Sequence, residues 1–197
     1  MSRIAHFKGL VYFLVAYWFY IDGVDTIIRM AVDYGMSIGL ESKHLILSLL
    51  LVQFVGFPAT IVFTHFAQKW DTKKAILLAI AIYFFITIGA SMMDSIEEFY
   101  ILAVMIALVQ GGVQALSRSY YSRMIPDRYA AEFFGFYNFV GKSAAILGPF
   151  VIGVVTLLTK NSRLGILSVA IFFIIGGWML LKVDEKKVAK ELKSALD

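Results

Sequence analysis

Residues 75–93 read AILLAIAIYFFITIGASMM, a run of 19 residues without a charged side chain. Lys73 and Lys74 directly precede the run, and Asp94 follows it. A helix needs roughly 20 mostly apolar residues to cross the hydrocarbon core of a bilayer. A run of this length with charges only at its ends predicts a membrane-spanning helix.

Five further apolar runs of similar length lie along the 197 residues, and 60% of the chain is hydrophobic. Soluble domains hold about 45–50% apolar residues. The sequence therefore predicts an all-α membrane protein, with a six-helix transmembrane domain over residues 1–183 and a charged cytoplasmic tail over 184–197. The expected spans are 9–29, 45–68, 75–93, 99–117, 133–159 and 164–181.

The basic residues are distributed unevenly between the two ends of these spans. Thirteen Lys and Arg residues lie at one set of helix ends and four at the other, with Lys142 left inside a span. Cytoplasmic loops are enriched in Lys and Arg. We therefore expect both termini in the cytoplasm and, for the whole chain, a place in the bacterial inner membrane.

The first predicted span carries three charged residues on one helical face. Asp22, Asp25 and Arg29 are spaced by three and four residues, so they lie in line. Charges inside a bilayer are costly, and they are usually functional or paired. Asp25 and Arg29 fit a structural pair at the outer mouth as well as a functional site, whereas the depth of Asp22 favours a functional role.

The fifth predicted span carries Lys142 near its midpoint, on one face with Asn138. A buried ammonium group needs a partner, and the carboxylates inside the predicted spans are those of Asp22 and Asp25. We hypothesise an ion pair between Lys142 and one of these aspartates across a polar cavity. Two forms of the pair remain open, a fixed bridge between helices and a pair that opens when substrate or a proton binds.

The fourth predicted span places Gln110 and Gln114 one helical turn apart, and Gln53 lies within the second. Amides inside a membrane either join helices by hydrogen bonds or line a pore. With Ser117 on the same stripe, the wall of a cavity is the favoured interpretation, and Gln53 is a weaker candidate for it.

The pair Gly148 and Pro149 in the fifth span predicts a kink, because proline removes a backbone hydrogen bond of the helix. Such a kink is a common structural feature and also a possible gating point.

Several classes of protein are disfavoured by what the sequence lacks. The chain has no cysteine, and its three histidines are far apart. It has no Gly-rich phosphate loop followed by Lys, and no spacing typical of metal ligands. We expect no enzymatic activity, no cofactor and no metal site. Nucleic acid is not an expected partner, because the basic residues sit in short loops.

The loop after the second span resembles the loop motif of major facilitator superfamily transporters, Gly-x-Leu-Ala-Asp-Arg-x-Gly-x-Lys-Lys. Residues 65–74 read HFAQKWDTKK, so that Lys69, Lys73 and Lys74 provide the basic positions. Gln68 stands at the acidic position and Asp71 at the second glycine. The resemblance implies a loop that latches one conformation through an ion pair, which Gln68 cannot form.

The sequence after the fourth span is similar to the matching element of the same superfamily. It reads PDRYAAEFFG over residues 126–135 and includes Arg128, with Arg118 at the end of the preceding span.

A closer resemblance covers nearly the whole chain. The segments YIDGVDTII (20–28), LLVQFVGFP (50–58), QGGVQALSRS (110–119), EFFGFYN (132–138) and GKSAAILGP (141–149) are similar to the vacuole-effluxer-like branch of that superfamily. The similarity is to the C-terminal six-helix half. It implies two inverted three-helix repeats, with the first and fourth helices lining a central cavity where Asp22, Asp25, Gln110 and Gln114 would lie. Fungal members of the branch are associated with amino-acid efflux.

A single half permits three interpretations. It could be a half-size secondary transporter that forms a parallel homodimer, a half that pairs with a separate N-terminal half, or a truncated product that binds or regulates without transport. Met1 followed by Arg3 and Lys8 favours a natural start. The expected partners are membrane lipid, a small-molecule substrate and a second half.

Overall fold

The computed structural model describes residues 7–196, apart from the side chains of Gln68, Ala195 and Leu196. The latch position at Gln68 and the basic residue Arg3 thus lie outside the described part. The helices are α1 (Lys8–Ser37), α2 (Ser42–Lys69), α3 (Thr72–Met92), α4 (Ile96–Met124), α5 (Ala130–Ala144), α6 (Leu147–Thr159), α7 (Ser162–Ser168), α8 (Ala170–Leu181) and α9 (Glu185–Leu196).

Six helical units within the described residues are long and apolar enough to cross a membrane. They are α1, α2, α3, α4, α5 with α6, and α7 with α8. The expected all-α membrane fold with six spans is confirmed. Helices α1 and α4 continue eight and seven residues past the predicted spans, because backbone hydrogen bonding persists where the side chains turn polar.

Capping side chains fix where two of the spans begin. Asp71 accepts a hydrogen bond from the Lys74 N–H at 3.1 Å, and so caps α3. Ser95 and Glu98 cap α4 reciprocally, with N–H to side-chain oxygen distances of 3.3 and 3.2 Å. Such caps satisfy backbone donors that the first helical turn leaves free. They allow the chain to reverse within two or three residues, so consecutive spans run antiparallel.

The fifth span is divided into two helices. Helix α5 ends at Ala144 and α6 begins at Leu147. The break at residues 145–146 thus lies about one turn before the predicted kink position at Gly148 and Pro149. Pro149 has no N–H to donate, and its ring excludes the carbonyl of residue i−4, which is Ala145. The break therefore falls on the residue whose helical partner the proline removes.

The packing of the spans repeats after three helices. Helix α2 packs on α4 as α5 packs on α1, and α3 packs on α4 as α8 packs on α1. The third and sixth spans contact each other directly. This is the pattern of two inverted three-helix repeats, which is half of a major facilitator fold.

The third and sixth spans are joined at both of their ends. At the basic end, the Lys73 ammonium donates to the carbonyls of Leu181 and Val183 at 2.8 and 2.7 Å. At the opposite end, Arg163 pairs with Asp94. These contacts hold the two spans as a support behind α1 and α4.

Helix α9 is amphipathic and lies across the basic ends of α1 and α4. Val188 and Leu192 are buried, and Val188 packs directly on Gly9 of α1. Burial where α9 meets the bundle raises the pKa of Glu185, and the charge of Arg123 opposes that shift. The charged tail expected after the last span therefore contains a helix that docks on the bundle.

Replacement of Val188 with Asp should release α9. The substitution removes an apolar contact of about 1.5–3 kcal/mol and places a charge in the same site. We expect amide hydrogen exchange across 185–194 to become at least tenfold faster, since about 1.4 kcal/mol corresponds to a factor of ten. Lys190→Asp, on the exposed face of the same helix, is the control. Equal acceleration by both variants would show that Val188 does not anchor α9.

Candidate functional site

A polar cavity of about 460 Å³ opens on the face formed by α1, α4 and α5. Residues of both charges and two amides share its wall. The polar and aromatic lining residues are Tyr17, Asp25, Gln114, Arg118, Tyr137, Asn138 and Lys142. A concave site with a few convergent polar groups is the usual form of a small-molecule site.

A smaller hollow of about 220 Å³, which we call the glutamine hollow, adjoins the cavity between α2 and α4. Gln53 from α2 and Gln110 from α4 line it, and Gln114 belongs to both hollows. The three glutamines predicted from the sequence are therefore brought together on one surface. With the larger cavity, they form a polar face that runs across four helices and that we call the cavity face.

Helices α2 and α4 approach closely beside this face because Gly111 has no side chain. A Cβ atom at Gly111 would collide with the Thr60 hydroxyl. The Thr60 hydroxyl itself donates to the carbonyl of Gly56 at 2.7 Å. The close contact brings Gln53 of α2 toward Gln110 of α4.

Asp22 does not lie on the cavity face. Its side chain is fully buried, and both carboxylate oxygens accept from the Gly148 N–H, at 3.1 and 3.0 Å. Gly148 is the second residue of α6, where backbone donors have no helical acceptor. Asp22 of α1 therefore caps the helix that begins after the break in the fifth span. The position in the central cavity that the resemblance implies for Asp22 is therefore not the one that the structure gives it.

Thr26 and Gly148 complete the contact around Asp22. The Thr26 hydroxyl donates to Asp22 Oδ1 at 3.4 Å, and a Cβ atom at Gly148 would collide with that hydroxyl. The positive end of the α6 dipole also favours an anionic group at this place. A carboxylate inside the membrane is thus satisfied by a helix terminus.

The hypothesised ion pair between Lys142 and Asp22 or Asp25 is absent from the described residues. The acidic partners are occupied elsewhere, Asp22 by Gly148 and Asp25 by Arg29, whose side chains approach to 3.8 Å. Lys142 is exposed on the cavity face together with Asn138. The position of Lys142 near the midpoint of the predicted span suggested a buried side chain. In the structure this side chain is exposed on the open side of the cavity face.

Asp25 and Arg29 lie one turn apart at the end of α1 that faces away from the basic loops. The Asp25 side chain is 24% exposed and lines the cavity, whereas Arg29 is 62% exposed. The pair is therefore accessible from the cavity on its acidic side.

The sequence interpretation missed Arg118, Tyr17 and Tyr137 as cavity residues. Arg118 was assigned to the loop motif, but it lies in α4 and its guanidinium carbon is 5.1 Å from the centre of the Phe134 ring. Its spacing of four residues from Gln114 could have placed it on the same stripe. Tyr17 and Tyr137 stack at 4.3 Å between ring centres, a contact that no short-range pattern reveals.

The remaining loop-motif residues lie away from the cavity. Asp71 caps α3, Lys73 binds the end of α8, and Arg128 rests 5.6 Å from the Tyr129 ring. Lys69 and Lys74 are exposed at the junction of α2 and α3. These residues organise the basic end of the bundle, and none of them lines the cavity.

The geometry agrees with what comparison of the sequence finds. A family model described as "Vacuole effluxer Atg22 like" matches residues 1–193. The chain belongs to this family. It is 42% identical to the MFS-type transporter YxiO of Bacillus subtilis over 186 residues, which cover 94% of the chain and 44% of that relative.

Fungal relatives are more distant. Autophagy-related protein 22 of Cryptococcus neoformans is 27% identical over 191 residues, covering 88% of the chain and 34% of the relative. The Saccharomyces cerevisiae protein of that name is 29% identical over 168 residues, which cover 79% of the chain and 32% of that relative. The chain thus spans between 32% and 44% of the length of these relatives. The expected membership of a vacuole-effluxer-like branch is confirmed.

Loss of the cap at Gly148 should destabilise the bundle. In Asp22→Leu the Gly148 N–H keeps no acceptor, and a buried donor without a partner costs about 1–3 kcal/mol. Asp22→Asn retains one acceptor oxygen and should lose less. The measurement is the free energy of unfolding in mild detergent titrated with dodecyl sulfate. Asp25→Leu is the matched control, since Asp25 caps no helix, and an equal loss in that variant would contradict the assignment.

The close approach at Gly111 gives a second stability prediction. Gly111→Ala should destabilise by about 1–3 kcal/mol through overpacking against Thr60. Addition of Thr60→Ala should recover part of that loss, giving a coupling energy of about 0.5–3 kcal/mol. Gly135→Ala is the control, because Gly135 is helical and has open space around it. Additive losses at Gly111 and Thr60 would argue against a tight contact.

Proposed function

We propose that the chain is half of a secondary transporter that moves a small solute by alternating access after it pairs with a second half. The cavity of about 460 Å³ on the face formed by α1, α4 and α5 is the observation that carries this proposal. In the superfamily fold, substrate binds between two halves near the midplane. The cavity face has the helices, the polarity and the open side that such a site needs.

The charges of the cavity support a solute of amino-acid type. Lys142 and Arg118 can bind a carboxylate, and Asp25 can bind an ammonium group, since charge-assisted hydrogen bonds are the strongest of their kind. The stacked rings of Tyr17 and Tyr137 offer an apolar surface for a side chain.

The exposure of polar groups on the cavity face supports pairing with a second half. Gln53, Gln114, Asn138 and Lys142 are exposed, although they lie within membrane-spanning helices. A charged side chain at the centre of a bilayer costs about 2.5–3.5 kcal/mol on insertion scales. A second copy in parallel orientation or a separate N-terminal half would cover this face.

We infer that an ion gradient drives transport through the cavity. Of the three aspartates in α1, Asp22 is closed off as a helix cap, Asp33 lies at the far end of the helix, and Asp25 is open to the cavity. We assign Asp25 as the residue that binds a proton or the ammonium group of the solute. The uneven distribution of Lys and Arg supports cytoplasmic termini in a bacterial inner membrane.

Transport should depend on Asp25 and Lys142. With the protein and its partner half in proteoliposomes, we expect uptake from a panel of labelled amino acids to respond to a pH gradient. Asp25→Asn and Lys142→Met should each lower that uptake at least tenfold, equivalent to about 1.4 kcal/mol of lost binding. Asp33→Asn, an exposed carboxylate at the far end of α1, is the control.

Pairing can be tested separately, because the chain contains no cysteine. Phe57→Cys places a thiol beside the glutamine hollow, and Phe85→Cys places one on the opposite side, on α3. Disulfide crosslinking at Phe57→Cys but not at Phe85→Cys would support a homodimer through the cavity face. Pairing without uptake of any solute would instead favour a structural or regulatory membrane protein.

A further inference from the structure

A second cavity lies on the other side of α2 from the cavity face. It is an open groove of about 720 Å³ between α2, α3 and α4. Its walls are apolar and include Val62, Phe66, Trp70, Leu78, Ile82 and Leu108. No polar side chain of the site described above reaches it, so it requires an explanation of its own.

The groove exists because α2 packs mainly on α4 and little on α3. Small residues on the facing surfaces, Ala59 and Ala67 of α2 and Ala75 of α3, leave the space between the two helices unfilled. Several groove walls are exposed large hydrophobic side chains, including Phe66 at 61% and Leu78 at 44%. The lining of the groove therefore suits an apolar occupant.

The length of the groove matches one leaflet of a bilayer. Its walls run along α2 from Val55 to Trp70, which is about 22 Å at 1.5 Å per residue. One leaflet is about 20–22 Å thick when its headgroup region is included, and about 15 Å of that is hydrocarbon. An acyl chain that enters beside Trp70 would therefore follow the groove through one leaflet. Trp70 itself is 65% exposed at the mouth, and tryptophan favours the level of lipid headgroups.

The mouth of the groove is basic. Lys69 and Lys74 are exposed there, and within residues 7–196 neither forms an ion pair with an acidic side chain. Lys74, Leu78 and Ile82 are spaced by four residues along α3, which puts the ammonium group above the apolar wall. The two other charged groups nearby are engaged, Lys73 with the end of α8 and Asp71 as the cap of α3.

We propose that this groove is a binding site for a phospholipid with a net negative headgroup. One acyl chain lies in the groove, Trp70 sits at the level of the glycerol, and Lys69 and Lys74 bind the phosphate. Basic pockets between membrane helices on the cytoplasmic side are suited to anionic headgroups. Charge complementarity at the mouth favours a lipid over an apolar helix of another polypeptide, which would leave the two lysines without a counter-charge.

The test is lipid binding measured by native mass spectrometry of the full chain in mild detergent. Phosphatidylglycerol, cardiolipin and phosphatidylcholine are titrated separately. We expect the two anionic lipids to bind and phosphatidylcholine to bind at least tenfold more weakly. The double variant Lys69→Gln, Lys74→Gln should weaken phosphatidylglycerol binding by about thirtyfold, from about 1 kcal/mol per lysine.

Two controls separate the groove from general attraction to charge. Lys43→Gln removes an exposed lysine at the end of α2 opposite to Lys69, and it should leave lipid binding unchanged. Leu78→Trp fills the groove without a change of charge, so it should weaken the binding of every lipid whose acyl chain enters the groove. Leu158→Trp on α6 lies outside the groove and should not weaken lipid binding. Equal binding of phosphatidylcholine, or an unchanged affinity in both the lysine and the Leu78 variants, would overturn the proposal. Crosslinking of a second polypeptide to a photoreactive group at Leu78 would overturn it as well.

Discussion

The bundle depends on a carboxylate that caps a helix inside the membrane. Pro149 breaks the fifth span, and the break leaves backbone donors of α6 in a medium without water. Asp22 reaches from α1 and accepts from the Gly148 N–H, while Gly148 leaves room for Thr26. The buried acid, the broken helix and the glycine within a helix would each destabilise the bundle if it occurred alone. Together they satisfy one another and join the first span to the fifth.

The cavity face follows from that junction and from its counterpart between α2 and α4. Thr26 with Gly148 and Thr60 with Gly111 are the same kind of contact, a threonine hydroxyl against a glycine, in pairs of spans related by the inverted repeat. Both contacts draw a peripheral span toward a central one. The polar residues beside them then converge, with Gln53 near Gln110 on one side and Asp25 across from Lys142 on the other. The third and sixth spans, joined at both ends by Lys73 and by Arg163, support this arrangement from behind.

Much of this could be predicted from the sequence, and the failures have a common cause. The six spans follow from hydropathy, and the stripe of Gln110 and Gln114 follows from a helical spacing. The partner of Asp22 could not be found, because it is a backbone N–H, which every residue except proline carries. A charged side chain is the more obvious partner for a carboxylate, and Lys142 is the charged residue within the later predicted spans. Arg118 directly follows a predicted span, and this position beside a loop conceals its spacing of four residues from Gln114.

Helix α2 separates the two cavities, and this placement links them physically. Gln53, Gly56 and Thr60 face the glutamine hollow, while Val55, Ala59 and Val62 face the apolar groove. Because α2 contacts α4 far more than α3, its tilt is fixed on one side by Gly111 and is open to adjustment on the other. An acyl chain in the groove would fill the open side and oppose movement of α2 toward α3. Lipid bound between α2 and α3 would in this way stabilise the position of Gln53 beside the cavity without touching it.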